Sequence, residues 1–130
     1  MRKLLILFTL LFSMMMFSST SFAEWKKLGE SVDGDTFYVD FERIRKHGGY
    51  TYNWMLTDFS KPDVNGMLSS RVYQQIDCEV FRGRGLSWSY HQERMGKDEN
   101  EITPEKPQWV YPPPNSAVEF VLKSVCQYAK

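Results

Sequence analysis

Cysteine and histidine are nearly missing from this chain, with two of each among 130 residues. A structural zinc site draws on about four closely spaced Cys or His ligands, whereas His47 and His91 stand far apart with no paired-ligand spacing. An excess charge of one sign is missing too. The 16 basic and 16 acidic side chains cancel to a formal net charge of +0, which leaves no electrostatic footprint for nucleic acid. No Gly-x-Ser-x-Gly elbow occurs, and the scattered Ser, His and Asp residues show no pattern that sequence alone supports as a triad. Gly83-Arg84-Gly85 opens like a phosphate-binding loop but lacks the third glycine and the following helix. Asp98, Glu99 and Glu101 fall in a polar stretch, away from the burial that tunes a carboxyl for proton transfer. These absences point away from an enzyme.

A long apolar run is present once only, at the start. Arg2 and Lys3 precede residues 4–17, and the segment ends in Ser21-Phe22-Ala23, with small residues at the positions a signal peptidase inspects. The run is shorter than the about 20 apolar residues that span a bilayer. The expectation is a cleaved signal over 1–23 and one domain over 24–130, exported to the periplasm or beyond, with no stable membrane insertion. No cysteine lies near the cleavage site to carry a lipid anchor. Loss of Arg2 and Lys3 leaves the acidic side chains two ahead of the basic ones. An oxidising compartment favours pairing of two lone cysteines. Closing the loop of roughly 48 residues between Cys78 and Cys126 would stabilise the fold by about 4 kcal/mol in the chain-entropy model. The alternative is a free or catalytic thiol, for which neither histidine is placed as an activating base.

The rest of the chain reads as strands and one helix. At residues 115–130, Ala117, Val118, Val121, Leu122, Val125, Cys126 and Ala129 recur at helical spacing and share one face. Ser116 and Glu119 form a capping-box pattern behind three prolines. Strands are expected over 24–30, 36–41, 50–59, 67–80 and 81–92, with a hairpin turn at Asp33-Gly34 and one helical turn within 42–46. Over 67–80, Val72, Ile76, Cys78 and Val80 share a face, so Cys78 points where the apolar residues point. Residues 93–105 are charged and read as a loop. The sum is an α+β fold: a single antiparallel sheet of about five or six strands with a C-terminal helix packed on one face.

Aromatic residues are plentiful, at 15% of the chain. Residues 50–59 place Tyr50, Tyr52, Trp54 and Leu56 on one side and Thr51, Asn53, Met55 and Thr57 on the other, so both sides carry bulk. In 81–92, Arg82, Arg84, Leu86, Trp88 and Tyr90 alternate onto one side, and with Arg94 near the strand end they form a candidate protein-binding cluster of the residue types that anchor protein contacts. The alternative has Leu86, Trp88 and Tyr90 as core beneath the helix, with the arginines at its rim. Gly83 and Gly85 mark a possible bulge, which leaves the face assignment open. A second candidate is a groove, or a contact between two copies of the chain, where Tyr50, Trp54, Met55 or His91 would hold a small ligand such as haem. Base rates favour His91 as a solvent-facing strand residue.

The order and spacing of several features resemble the surface-adhesin protein E family over nearly all of 24–130. They are Trp25 with Leu28-Gly29, the run from Gly34 to Asp40 leading to Ile44-Arg45, Tyr52-Asn53-Trp54, the Ile76-Asp77-Cys78 step, and Trp109 ahead of the capped helix that ends near Cys126. The resemblance implies a six-stranded antiparallel sheet whose C-terminal helix is tethered to the concave face by a disulfide. It also implies an exported, non-enzymatic binding protein that contacts a host matrix or serum protein, or a periplasmic partner. The family's founding adhesin is lipid-anchored, whereas Ala23 and Glu24 stand here where a lipobox cysteine would be.

Overall fold

The computed structural model describes residues 23–100, 103, 104, 106 and 108–130, so all of the expected signal segment but Ala23 lies outside the described residues. In chain order the elements are β1 (Lys26–Glu30), β2 (Thr36–Val39), a 3-10 turn (Phe41–Arg43), β3 (Arg45–His47), β4 (Tyr50–Asp58), β5 (Ser69–Asp77), β6 (Arg82–His91), a second 3-10 turn (Arg94–Gly96), β7 (Thr103–Pro104) and α1 (Ala117–Tyr128). All strand pairs are antiparallel, in the order β1-β2-β4-β5-β6-β7. Two short strands share one edge of β4: β2 pairs with Met55–Asp58 and β3 with Tyr50–Tyr52. The sheet is therefore six strands wide, with one helix on one face.

Local chemistry fixes the turns. Gly34 takes φ +88, a conformation that suits a residue without Cβ, and its N–H donates to the Ser31 carbonyl at 3.0 Å to close the β1–β2 hairpin. Asp40 caps the first 3-10 turn by accepting the Glu42 N–H at 3.2 Å. Ser116 caps α1 by accepting the Glu119 N–H at 3.1 Å. The return bond of this box comes from the Asn115 N–H to Glu119 Oε1, at 3.3 Å, rather than from Ser116 itself.

Helical pitch places Val121, Leu122 and Val125 on the buried side of α1, while Val118 stays 40% exposed. They pack with Val39, Met55, Val72 and Ile76 from the sheet, and each buried side chain stabilises the fold by roughly 1.5–3 kcal/mol. Cys126, in the last turns of α1, is bonded to Cys78 with Cα atoms 5.7 Å apart. The register supports this tie, because Val72 and Ile76 face the helix just ahead of Cys78.

The structure corrects the sequence reading in the β5–β6 hairpin. β5 ends at Asp77, and Val80, expected on the apolar face, is 51% exposed in the turn that Phe81 closes with φ +62. A bulge then interrupts the pairing: Tyr73 faces Ser87 and Gln74 faces Gly85, which leaves Leu86 unopposed. Each extra residue reverses the alternation that follows. Arg82 and Arg84 consequently share a face with Gln75, whereas Trp88 faces the helix side with Val72. A Cβ on Gly85 would meet the Trp88 ring at 2.7 Å, so glycine lets the indole lie flat against the strand.

Candidate functional site: the sheet face opposite the helix

The face turned away from α1 carries rings and guanidinium groups side by side. Alternation brings Tyr50, Tyr52 and Trp54 from β4, Tyr73 and Gln75 from β5, and Arg82 and Arg84 from β6 to this side. Tyr73 stacks between Tyr52, at 6.0 Å between ring centroids, and Trp54, at 4.9 Å. Stacked pairs of this kind add about 0.5–1.5 kcal/mol beyond their buried area. The Tyr52 hydroxyl accepts from Gln75 Nε2 at 3.0 Å, and Gln75 Oε1 accepts from Arg84 Nε at 2.6 Å. Trp109, from the segment before the helix, closes the row: Tyr50 lies 5.5 Å away, and the guanidinium carbons of Arg82 and Arg84 lie 4.4 and 4.3 Å from its ring. Arg82 also pairs with Asp77 at 3.4 Å. Gln75 and Asp77 are buried beneath, whereas the rings and guanidinium groups are half-buried, so they are fixed in place and still reachable.

The other end of this face is covered. The turn Arg94–Gly96 sits over Leu56 and Arg71, close enough that a Cβ on Gly96 would come within 3.1 Å of the leucine. Beneath the loop that follows, His91 is 0% exposed. Its Nδ1–H donates to the Asp98 carbonyl at 2.8 Å, and its Nε2 accepts from the Ser89 hydroxyl at 2.8 Å and from Arg71 Nε–H at 3.2 Å. Burial, seconded by the Arg71 charge, holds the imidazole below its usual pKa against the opposing pull of Asp98. Asp98 loses hydration as well, yet the N–H groups of Glu93 and Gln92 keep its carboxyl below its ordinary value. Ser89, His91 and Asp98 thus meet like a nucleophile, a base and an acid. Arg71 occupies the same imidazole nitrogen as the serine, and Ser89 is only 2% exposed, so the group acts as a clasp between β5, β6 and the loop.

The register divides the cluster expected from the sequence. Arg82 and Arg84 lie together on the array described above; Trp88 and Tyr90 lie on the helix side. Arg94 stands at the covered end, bonded to Asp58 at 3.2 Å and to the Phe59 carbonyl at 2.7 Å. Of the alternative small-ligand set, Tyr50 and Trp54 share the open face, Met55 is buried under the helix at 8% exposure, and His91 is enclosed rather than solvent-facing. With both ring nitrogens bonded inside the fold, His91 as placed does not fit axial ligation of haem iron. Sequence reasoning missed Tyr52, Tyr73, Gln75 and Trp109 as members of the array. Alternation sets Tyr52 beside Trp54, but Tyr73 and Gln75 lie on another strand and join them only through the register Trp54↔Tyr73 and Tyr52↔Gln75, which alternation within a strand does not give. Trp109 could not be placed, because its position depends on how the segment after β7 crosses the sheet.

A single antiparallel sheet, covered on one side by a disulfide-tied helix and lined on the other by rings and cations, defines a small α+β module that presents a sheet face. The chain belongs to the surface-adhesin protein E family, whose model matches residues 25–127. Its fold is that of Haemophilus influenzae protein E. One crystal form superposes with a TM-score of 0.62 at 14% identity, covering 85% of this chain and 94% of that one. A second structure of that protein gives 0.59 at 13% identity, covering 83% and 87%, and protein E from non-typeable Haemophilus influenzae gives 0.55 at 13%, covering 85% and 79%. No curated protein matches the chain. Among the described residues no helix is long and apolar enough to cross a membrane.

Proposed function

We propose that this chain is an exported, adhesin-like binding protein that holds a protein partner, a host matrix or serum protein or a periplasmic protein, on the sheet face opposite its helix. One observation carries the reading: Arg82, Arg84 and Tyr50 all pack on the Trp109 ring, on a face that the helix leaves bare. Trp, Tyr and Arg are the residue types that dominate protein interfaces, because they combine large contact area with few rotors to freeze. Here they are already ordered by their own contacts, so binding loses little side-chain entropy. Membership of an adhesin family supports the same reading, and the partner acts as a binding target rather than a substrate. The test is retention of the mature chain on immobilised extracellular-matrix and serum glycoproteins, and on a column of periplasmic extract. Arg84→Ala and Trp109→Ala should each weaken retention at least tenfold, the loss expected for a hot-spot residue. Retention that survives both substitutions would place the interface elsewhere.

A further inference from the structure

Glu24, two residues ahead of β1, lies beside a buried carboxylate. Asp40 directly follows β2 and is 1% exposed, and taking a carboxylate out of water is costly unless it is paired and hydrogen-bonded. Its Oδ1 accepts the Glu42 N–H of the first 3-10 turn at 3.2 Å. Its Oδ2 faces the Arg43 Nε at 3.5 Å and accepts the backbone N–H of Glu24 at 3.3 Å. The Arg43 side chain is 39% exposed, so water screens that half of the pairing. The Glu24 nitrogen meets the same oxygen as an uncharged amide.

Glu24 is also the residue that follows the expected cleavage site. Hydrolysis of the Ala23–Glu24 peptide bond adds one water: Ala23 leaves as a carboxylate, and the Glu24 nitrogen, released as an amine, takes up the proton and becomes an ammonium. The hydrogen bond to Asp40 is then an ion pair as well. We propose that processing after Ala23 supplies Asp40 with its counter-ion, so that the α-ammonium of Glu24 locks the N-terminal segment onto the turn after β2 once the precursor has been cut. Trp25 lines, together with Trp54, Arg43 and Arg71, a cavity of about 190 Å³ on the array side, so the same lock holds the rim of the array. Ala23 lines that cavity too, and the cut removes it. Cleavage after Ala23 is the sequence-based expectation on which this rests; no partner on the array is required.

The charged groups around the new amine come from three elements. They are Asp40, Glu42 and Arg43 from the turn, Arg71 from β5, and the carboxyl of Glu24 itself, while Lys26 on β1 turns to the Phe41 ring. Pairing with a carboxylate raises the amine above the pKa of about 7.7–8.0 that it has in an unfolded chain. Its contribution to stability is therefore complete below about pH 7.5 and is lost as pH climbs through the folded value.

The test is denaturant unfolding of residues 24–130 with a free α-amino group against two comparators. The first is the same chain Nα-acetylated, which keeps the N–H and removes the charge; the second is residues 23–130, whose amine stands one Cα step of ~3.8 Å further out. Near neutral pH the free 24–130 chain should exceed both by about tenfold in its folding equilibrium constant, more than an exposed pair gives, because Asp40 is buried. That lead should fade from about pH 8 to about pH 10 and be absent in Asp40→Asn. Other groups titrate alike in all three chains and cancel, and the pH series needs no substitution that could impair folding. Equal stability of the free and acetylated chains, a lead that ignores pH, or one that persists in Asp40→Asn would overturn the ion pair. The mass of the exported chain reads the cut separately: a first residue other than Glu24 would overturn the coupling to processing.

Discussion

The two faces of the sheet solve different problems with the same strands. On the helix side the contributors are aliphatic, fully buried and covalently tied: Val39, Ile76 and Val125 are each 0% exposed, and the Cys78–Cys126 bond holds the cover in place. On the far side they are aromatic and cationic, half-buried, and held by stacking and single hydrogen bonds. Burial of aliphatic surface stabilises in proportion to area, whereas exposed rings and guanidinium groups add little to folding and much to association. A strand such as β4, which carries Met55 on one side and Trp54 on the other, serves both ends at once.

Removing the covalent tie should produce the largest effect. The double variant Cys78→Ser with Cys126→Ser is expected to lose about 4 kcal/mol by denaturant unfolding, since the unfolded chain regains the entropy of a 48-residue loop. Leu122→Ala follows at about 3 kcal/mol, because it opens a cavity at a side chain only 1% exposed. A loss for Arg84→Ala as large as for Leu122→Ala would abolish the distinction between the faces. The expected cost of Arg84→Ala is under about 1 kcal/mol, the scale of a partly exposed contact.

A pH titration of stability sharpens the comparison at the covered end of the far face. His91 is held neutral in the fold by burial, with its pKa below the usual value, while in the unfolded chain it takes up a proton near pH 6.5. The unfolded state therefore binds more protons as the pH drops below about 6.5. The stability this group contributes is complete above that pH and is lost as pH falls towards the folded pKa, with a slope of at most about 1.4 kcal/mol per pH unit. His91→Gln should flatten that slope. An unchanged slope in His91→Gln would assign the acid sensitivity to other groups.

Much of the fold was legible from local pattern. The helix and its cap followed from Ser116, Glu119 and the spacing of Val121, Leu122 and Val125, and the facing cysteines followed from the alternation of Val72, Ile76 and Cys78. What escaped was non-local. One unopposed residue, Leu86, moved Trp88 and Tyr90 to the face opposite Arg82 and Arg84, and two glycines could signal a bulge without fixing where it falls. β3 escaped because Arg45, Lys46 and His47 are all exposed and charged or polar, so no apolar alternation marks a strand that exists by pairing with β4. His91 was misplaced because alternation cannot report a loop folding over it to deliver the Asp98 carbonyl.

The four tryptophans give the most direct reading of the central claim, that recognition belongs to the face without the helix. In a 15N spectrum of residues 24–130 saturated with a protein that the binding test shows to be held, the indole N–H signals of Trp54 and Trp109 are expected to shift or broaden while that of Trp88 stays in place. Movement of Trp88 with Trp54 and Trp109 unperturbed would contradict the account.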